Sequence, residues 1–156
     1  MKAAFFDRDG TLIKNVHYLS DLQHIELIKE MIAICKACME KGYKLFVVSN
    51  QSGVARGFFD ENFVRQTHEE LARIFAEHGI VFEKFYFCPH LQGCLCRKPQ
   101  PGMLHEAAQE FNLDLSSSLM IGDSECDVRA GEAAGCKTFY VETILHESLD
   151  DFIKQI

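Results

Sequence analysis

Ala3-Ala4-Phe5-Phe6-Asp7-Arg8-Asp9-Gly10-Thr11 opens the chain with an apolar run that breaks into two carboxylates, an arginine and a glycine. The run has the length of a buried strand, and the glycine permits a sharp turn after it. Similar apolar runs recur at residues 43–49, 84–88, 118–122 and 137–141. Helical patterns lie between them. Ile25, Ile28, Ile32, Cys35 and Met39 fall on one face at spacings of three and four within residues 25–40. Val64, Leu71, Ile74 and Phe75 do the same in the next interval. Residues 102–111 and 125–134 read as the third and fourth helices, and Glu147 to Ile156 as a last short one. Gly42, Gly79 and Gly135 stand where helices should stop. Strand–helix alternation of this kind predicts an α/β fold, a Rossmann-like parallel sheet with helices on both faces, as one domain over residues 1–156. Ligands of such sheets sit beyond the carboxyl ends of the strands. Here those ends run into Asp7, Ser49, Cys88 and Gly122-Asp123.

The 156 residues are enough for one buried core, and 47% hydrophobic with 25% charged residues is ordinary globular composition. A net charge of −7 argues against a nucleic-acid backbone as partner, which needs clustered positive charge. No apolar stretch approaches the length of a membrane span, and the run after Met1 and Lys2 is too short for a secretory signal. A cytoplasmic protein without membrane partners is expected. Seven cysteines in such a protein point to metal binding or catalysis before disulfides.

Two converging carboxylates repel unless they share a proton or hold a cation, so Asp7 and Asp9 form either a solvated turn or a hard-metal site. A calcium loop of the EF-hand kind is disfavoured, because the glycine comes too early and Tyr18 occupies the twelfth position. Cys88, His90, Cys94 and Cys96 place four soft or borderline ligands within nine residues, a Cys₃His set suited to tetrahedral zinc. Four protein ligands leave no open position, so such a zinc would be structural and would stiffen the loop carrying Arg97 and Lys98. Cys35 and Cys38 also make a C-x-x-C, but Cys35 continues an apolar helical stripe, and both read as core.

The Asp7–Thr11 segment resembles the first motif of the haloacid dehalogenase (HAD) superfamily of phosphatases. Ser49, Lys98 in Cys96-Arg97-Lys98-Pro99, and Gly122-Asp123 with Asp127 four residues on resemble its later motifs, in order. The resemblance implies that Asp7 attacks phosphorus and that Asp9 acts as general acid and then as general base. It further implies that Ser49 and Lys98 bind the phosphoryl oxygens, and that Mg²⁺ is held by Asp7, Asp123 and the backbone carbonyl of Asp9. The intervals between motifs leave no room for a large cap domain. Ser49-Asn50-Gln51-Ser52-Gly53-Val54-Ala55-Arg56-Gly57 and the zinc-type loop are similar to those of D,D-heptose 1,7-bisphosphate phosphatases, which remove the 7-phosphate in the synthesis of lipopolysaccharide or related glycans. That resemblance implies a pocket lined by Asn15, Val16, His17, Tyr18, Ser49, Asn50, Gln51 and Ser52, with Arg97 helping to recognise the sugar; by charge alone, Arg56, Arg97 and Lys98 offer a local cationic patch on an acidic protein. A monomer acting on a small phosphorylated sugar is expected. The short metal loop, and Ser124 where a lysine is common, depart from the pattern on the substrate side. The short loop also resembles histidinol-phosphate phosphatases. A receiver-like phospho-aspartate domain is a rival of another class, but it would carry its aspartate after the third strand, where Cys88 stands here.

Overall fold

The computed structural model describes residues 1–156. Five strands form one sheet: β1 (Ala3–Phe6), β2 (Lys44–Asn50), β3 (Phe82–Cys88), β4 (Leu119–Gly122) and β5 (Lys137–Tyr140). All pairings are parallel and the order is β3-β2-β1-β4-β5. The chain builds outward from β1 to β3, then returns to add β4 and β5 on the other side. The order therefore reverses between β1 and β4, where the ends of open parallel sheets form a crevice.

Alternation along the strands divides the core in two. Ala4, Phe6, Leu45, Val47 and Ile121 enter one cluster, with Phe75 and Phe152 from the helices. Ala3, Phe5, Phe46, Val48 and Met120 enter the other. Each fully buried phenylalanine contributes roughly 1.5–3 kcal/mol relative to exposure. The first face is covered by α1 (Glu30–Glu40), α2 (Glu61–Glu77), α5 (Val141–His146) and α6 (Leu149–Gln155). The second carries α3 (Gly102–Phe111) and α4 (Glu125–Ala134), with Gly131 letting α4 close onto Met120 and Thr138. The expected two-faced parallel sheet is what the chain forms. The pairing of β2 with β3 shifts between Leu45 and Phe46, so Glu83 is an extra residue. That bulge puts Phe82 and Phe85 on the same face.

Two boundaries differ from the periodic pattern. The first helix starts at Glu30, not near residue 25. Residues 25–28 instead pair with the segment after β1: Lys14 N–H donates to Glu26 O at 2.7 Å and Ile28 N–H to Leu12 O at 3.0 Å. Ile25 and Ile28 still pack on the core, so an apolar period survives without the helix. At the other end β5 stops at Tyr140 and the chain turns helical at once, giving α5 and α6 where one short helix was expected. Gly42, Gly79 and Gly135 all have positive φ at helix ends, as expected. No helix is long and apolar enough to cross a membrane.

Candidate active site

Asp7 follows β1 directly, and its backbone N–H donates to Ile121 O of β4 at 3.0 Å, so the central strand pair sets its position. Lys98 comes from the far loop and is 2% exposed. Its Nζ donates to Asp7 Oδ1 at 2.7 Å, Asp127 Oδ1 at 2.6 Å and Val48 O at 2.8 Å. An ammonium has three protons, and all three are used. Burial works against its charge, but Asp7 and Asp127 outweigh that and raise its pKa. The Lys98 main chain is held as well. Asn50 Oδ1 accepts from Lys98 N–H at 2.9 Å, and Asn50 Nδ2 donates to Lys98 O at 3.0 Å. The Lys98–Pro99 peptide is cis.

Asp7, Asp123 and Asp127 bring carboxylate oxygens within 4.8 Å of one another. Asp127 Oδ2 accepts from Asp123 N–H, Ser124 N–H and Ser124 Oγ at 3.0–3.1 Å, so both its oxygens are engaged within the protein. Burial lifts the Asp7 carboxyl, Lys98 pulls it back, and Asp127 and Asp9 push it up again, leaving it at about 7. Asp123 is raised too, by burial first and then by Asp127. Hard oxygen donors and surplus negative charge fit a divalent cation between Asp7 and Asp123, with Asp127 bracing the site. Gly10 makes room for this: at φ +83°, a Cβ there would meet Asp123 Oδ2 at 2.1 Å.

The Asp9 side chain lies outside that acidic trio. Arg8 Nε donates to its Oδ2 and Arg8 Nη2 to its Oδ1, each at 3.1 Å. Gln51 Nε2 donates to Asp9 Oδ2 at 2.9 Å and to Ser49 Oγ at 2.6 Å. Beside them is a cavity of about 250 Å³ lined by Arg8, Asp9, Asn15–Leu19 and Asn50–Gly53. Of the residues expected around substrate, Asn15, Val16, His17, Tyr18, Asn50, Gln51 and Ser52 line it, whereas Arg56 and Arg97 do not. Arg56 sits over the Tyr18 ring at 5.8 Å, and Arg97 Nη1 donates to His90 O at 3.3 Å. Tyr18 adopts φ +48°, unusual for a side-chain-bearing residue, and its ring lies 4.5 Å from His17 and 4.6 Å from Phe58. That contact ties the loop after β1 to the loop after β2.

Asp127 and Arg8 were not assigned roles from sequence. Ser124-x-x-Asp127 carries a capping-box signature, and the box forms at the start of α4. The signature reports one carboxylate oxygen; the other reaches Lys98, 29 residues away in sequence. No signal in the sequence announces Arg8 as a buried partner of Asp9.

Cys88, His90, Cys94 and Cys96 converge at the end of β3. Cys88 and Cys96 Sγ lie 3.4–3.5 Å from His90 Nδ1 and 3.5 Å from Cys94 Sγ, and 2.6 Å from each other. A tetrahedral zinc centre spaces its sulfur ligands by about 3.7 Å, so the donor set and the 3.5 Å contacts suit that ion, while Cys88 and Cys96 would have to part by about 1 Å to share it. Cys88 O accepts from Gln51 N–H at 2.8 Å, which joins the loop to the end of β2.

Known proteins resemble this chain. A family model described as HAD-hydrolase-like matches residues 95–150. A D-glycero-alpha-D-manno-heptose-1,7-bisphosphate 7-phosphatase of Campylobacter jejuni is 39% identical over 83% of this chain and 76% of its own length. A D-glycero-beta-D-manno-heptose-1,7-bisphosphate 7-phosphatase of Haemophilus ducreyi is 40% identical over 88% of this chain and 80% of its own. The crystal structure of the D,D-heptose 1,7-bisphosphate phosphatase from B. bronchiseptica, complexed with magnesium and phosphate, superposes with a TM-score of 0.80 at 32% identity, covering 88% of this chain and 79% of that one. An aspartate at the end of the central strand, a buried lysine upon it and a flanking acidic group thus sit in a chain that belongs to the HAD-type family of heptose-bisphosphate phosphatases.

Proposed function

We propose that this phosphatase removes the 7-phosphate of D-glycero-D-manno-heptose 1,7-bisphosphate through an aspartyl-phosphate on Asp7. The observation that carries the chemistry is the Lys98–Asp7 contact, 2.7 Å at the end of β1 beside the acidic trio. Asp7 Oδ2 is the oxygen free of Lys98 and serves as nucleophile. Its attack forms the O–P bond as the ester P–O bond breaks, and Asp9 delivers a proton to the departing sugar oxygen. Asp9 then takes a proton from water, whose oxygen displaces Asp7 from phosphorus. Ser49 holds a phosphoryl oxygen where charge develops, and Lys98 does so by turning to it the donor that now serves Asp7 Oδ1. Mg²⁺ bound by Asp7, Asp123 and the Asp9 carbonyl supplies the positive charge that lets a carboxylate approach a phosphate dianion. Zn²⁺ on Cys88, His90, Cys94 and Cys96 is structural and keeps Arg97 and Lys98 in register with the site.

The reading of the substrate is supported by relatives named for both anomers, at 39% and 40% identity, and by a cavity of sugar-phosphate size. The whole chain acts as a single domain on a small sugar in the cytoplasm, as a monomer, with Arg56 and Arg97 at the margin of the pocket. The test compares kcat/KM for the α and β bisphosphates and for histidinol phosphate. One heptose anomer should lead by at least tenfold. Preference for histidinol phosphate refutes the substrate, and phosphate release by Asp7→Asn refutes the mechanism.

A further inference from the structure

Asn50 and Gln51 follow Ser49 at the end of β2 and were expected to face substrate, yet Gln51 is only 5% exposed. Its main chain is pinned to Cys88 O, and its side-chain amide spans Asp9 Oδ2 and Ser49 Oγ at 2.9 and 2.6 Å. Arg8, 2% exposed, grips the same carboxylate from the other side with two hydrogen bonds of 3.1 Å. Asp9 Oδ2 therefore accepts two bonds and Oδ1 only one. A carboxylate held at both oxygens, but by one bond fewer at Oδ1, presents the remaining Oδ1 lone pair in a fixed direction. An aspartate without such anchors turns about two torsions and spends time off line. Misplacement of a reacting group by about 1 Å can cost about 100-fold in rate.

We infer that Gln51 is a positioning residue for Asp9: its amide, working against Arg8, fixes the carboxylate so that Oδ1 carries the proton to the leaving oxygen. The inference rests on the role given to Asp9 above. It concerns one step, in which the ester P–O bond breaks, its electron pair stays on the sugar oxygen, and the proton leaves Asp9 Oδ1 for that oxygen. A sugar alkoxide needs that proton, whereas a p-nitrophenolate leaves without it. The consequence is a loss that depends on the leaving group.

The experiment measures kcat and KM of the magnesium-loaded enzyme on heptose bisphosphate and on p-nitrophenyl phosphate for wild type, Gln51→Met, Gln51→Glu and Asp9→Asn. In a two-step mechanism kcat/KM reports the first transfer alone, so slow breakdown of the aspartyl-phosphate does not blur it. Gln51→Met should lose about 10- to 100-fold in kcat/KM on the sugar ester, a part of the range general acids supply, and less than about threefold on the aryl ester. KM for the sugar ester should stay within about twofold. Gln51→Glu, nearly the same shape, guards against a folding defect in the methionine variant: its added charge should slow both esters, and the sugar ester should still lose the further factor of about 10 to 100. Equal losses on both esters would overturn the inference and place Gln51 in phosphoryl binding through Ser49 or in the fold. Unchanged kinetics would overturn it outright. Asp9→Asn stands apart: if it fails to discriminate the two esters, the role of Asp9 itself falls, whatever Gln51 does.

Discussion

Gly10→Ala separates stability from chemistry at a single carbon. A Cβ at position 10 would lie 2.1 Å from Asp123 Oδ2 and 2.7 Å from its Cγ, so something must move. The atoms in the way are the far end of an exposed side chain, and turning Asp123 aside costs the fold little. The backbone cost is the left-handed φ of +83°, about 1–2 kcal/mol for a residue with a side chain. For a domain of this size that corresponds to a Tm lower by roughly 2–8 °C. Activity should fall much further. Asp123 must rotate by more than an ångström to clear a carbon, and the pair it forms with Asp7 opens. A displacement of that size costs about 100-fold in kcat/KM, with a rise in the Mg²⁺ needed for half activity. Gly42→Ala is the matched control: φ is also +83°, and the nearest atom to its Cβ is Lys2 Cε at 4.0 Å. Both variants should melt alike by calorimetry, and only Gly10→Ala should lose phosphate release across a magnesium titration. If Gly10→Ala is as active as Gly42→Ala, the geometry assigned to Asp123 is wrong.

Three further outcomes follow from buried charges and the metal loop. His68 is buried against Phe85 and Phe87 with Nε2 unpartnered, and burial, then Arg8, pushes its pKa down to about 3. The unfolded chain, with His68 near 6.5, takes up the proton first, so this contribution to stability is complete above pH 6.5 and is lost as pH falls toward 3. Between pH 7.5 and 4.5 wild type should lose roughly 2–3 kcal/mol more than His68→Phe in urea unfolding, and parallel curves would exclude the effect. Asp127→Ala strips Lys98 of one of its two buried anions and should cost about 3–5 kcal/mol by the same assay; a cost below about 1 kcal/mol would show that Lys98 does not depend on it. Removing zinc with a chelator should slow turnover and open residues 88–96 to protease while magnesium is held constant, and full activity of protein shown to be zinc-free would contradict a bracing role for the loop.

Much of this was legible in the sequence because parallel sheets put chemistry in a known place. Apolar runs ending in Asp7, Ser49, Cys88 and Asp123 marked the strands, and of those side chains Asp7 and Asp123 meet in an acidic cluster while Cys88 joins a separate sulfur–imidazole cluster. Periodicity overreached at residues 25–28, where apolar spacing was kept by a strap paired to the loop after β1. Short-range patterns cannot register such a pairing. The other gaps are of one kind. Gln51 reads as a pocket residue, Asp127 as part of an acidic motif and Arg8 as nothing in particular, yet each is buried on a partner far along the chain or one residue away. Asn50 has the sequence character of a pocket residue and does line the cavity, but its amide is committed to the backbone of Lys98. Side-chain type shows that a hydrogen bond will be made; only the fold decides with whom.

The three-way anchorage of Lys98 bears on which sequences can drift here. Its donors point to a carboxylate, a second carboxylate and a carbonyl in three directions, inside a space sealed to 2% exposure. A tetrahedral ammonium meets that demand. A planar guanidinium is wider, sends its donors out in one plane, and would leave the Val48 carbonyl or one carboxylate unserved. At position 98, therefore, the exchange of lysine for arginine that substitution tables score as mild would be among the most damaging in the chain.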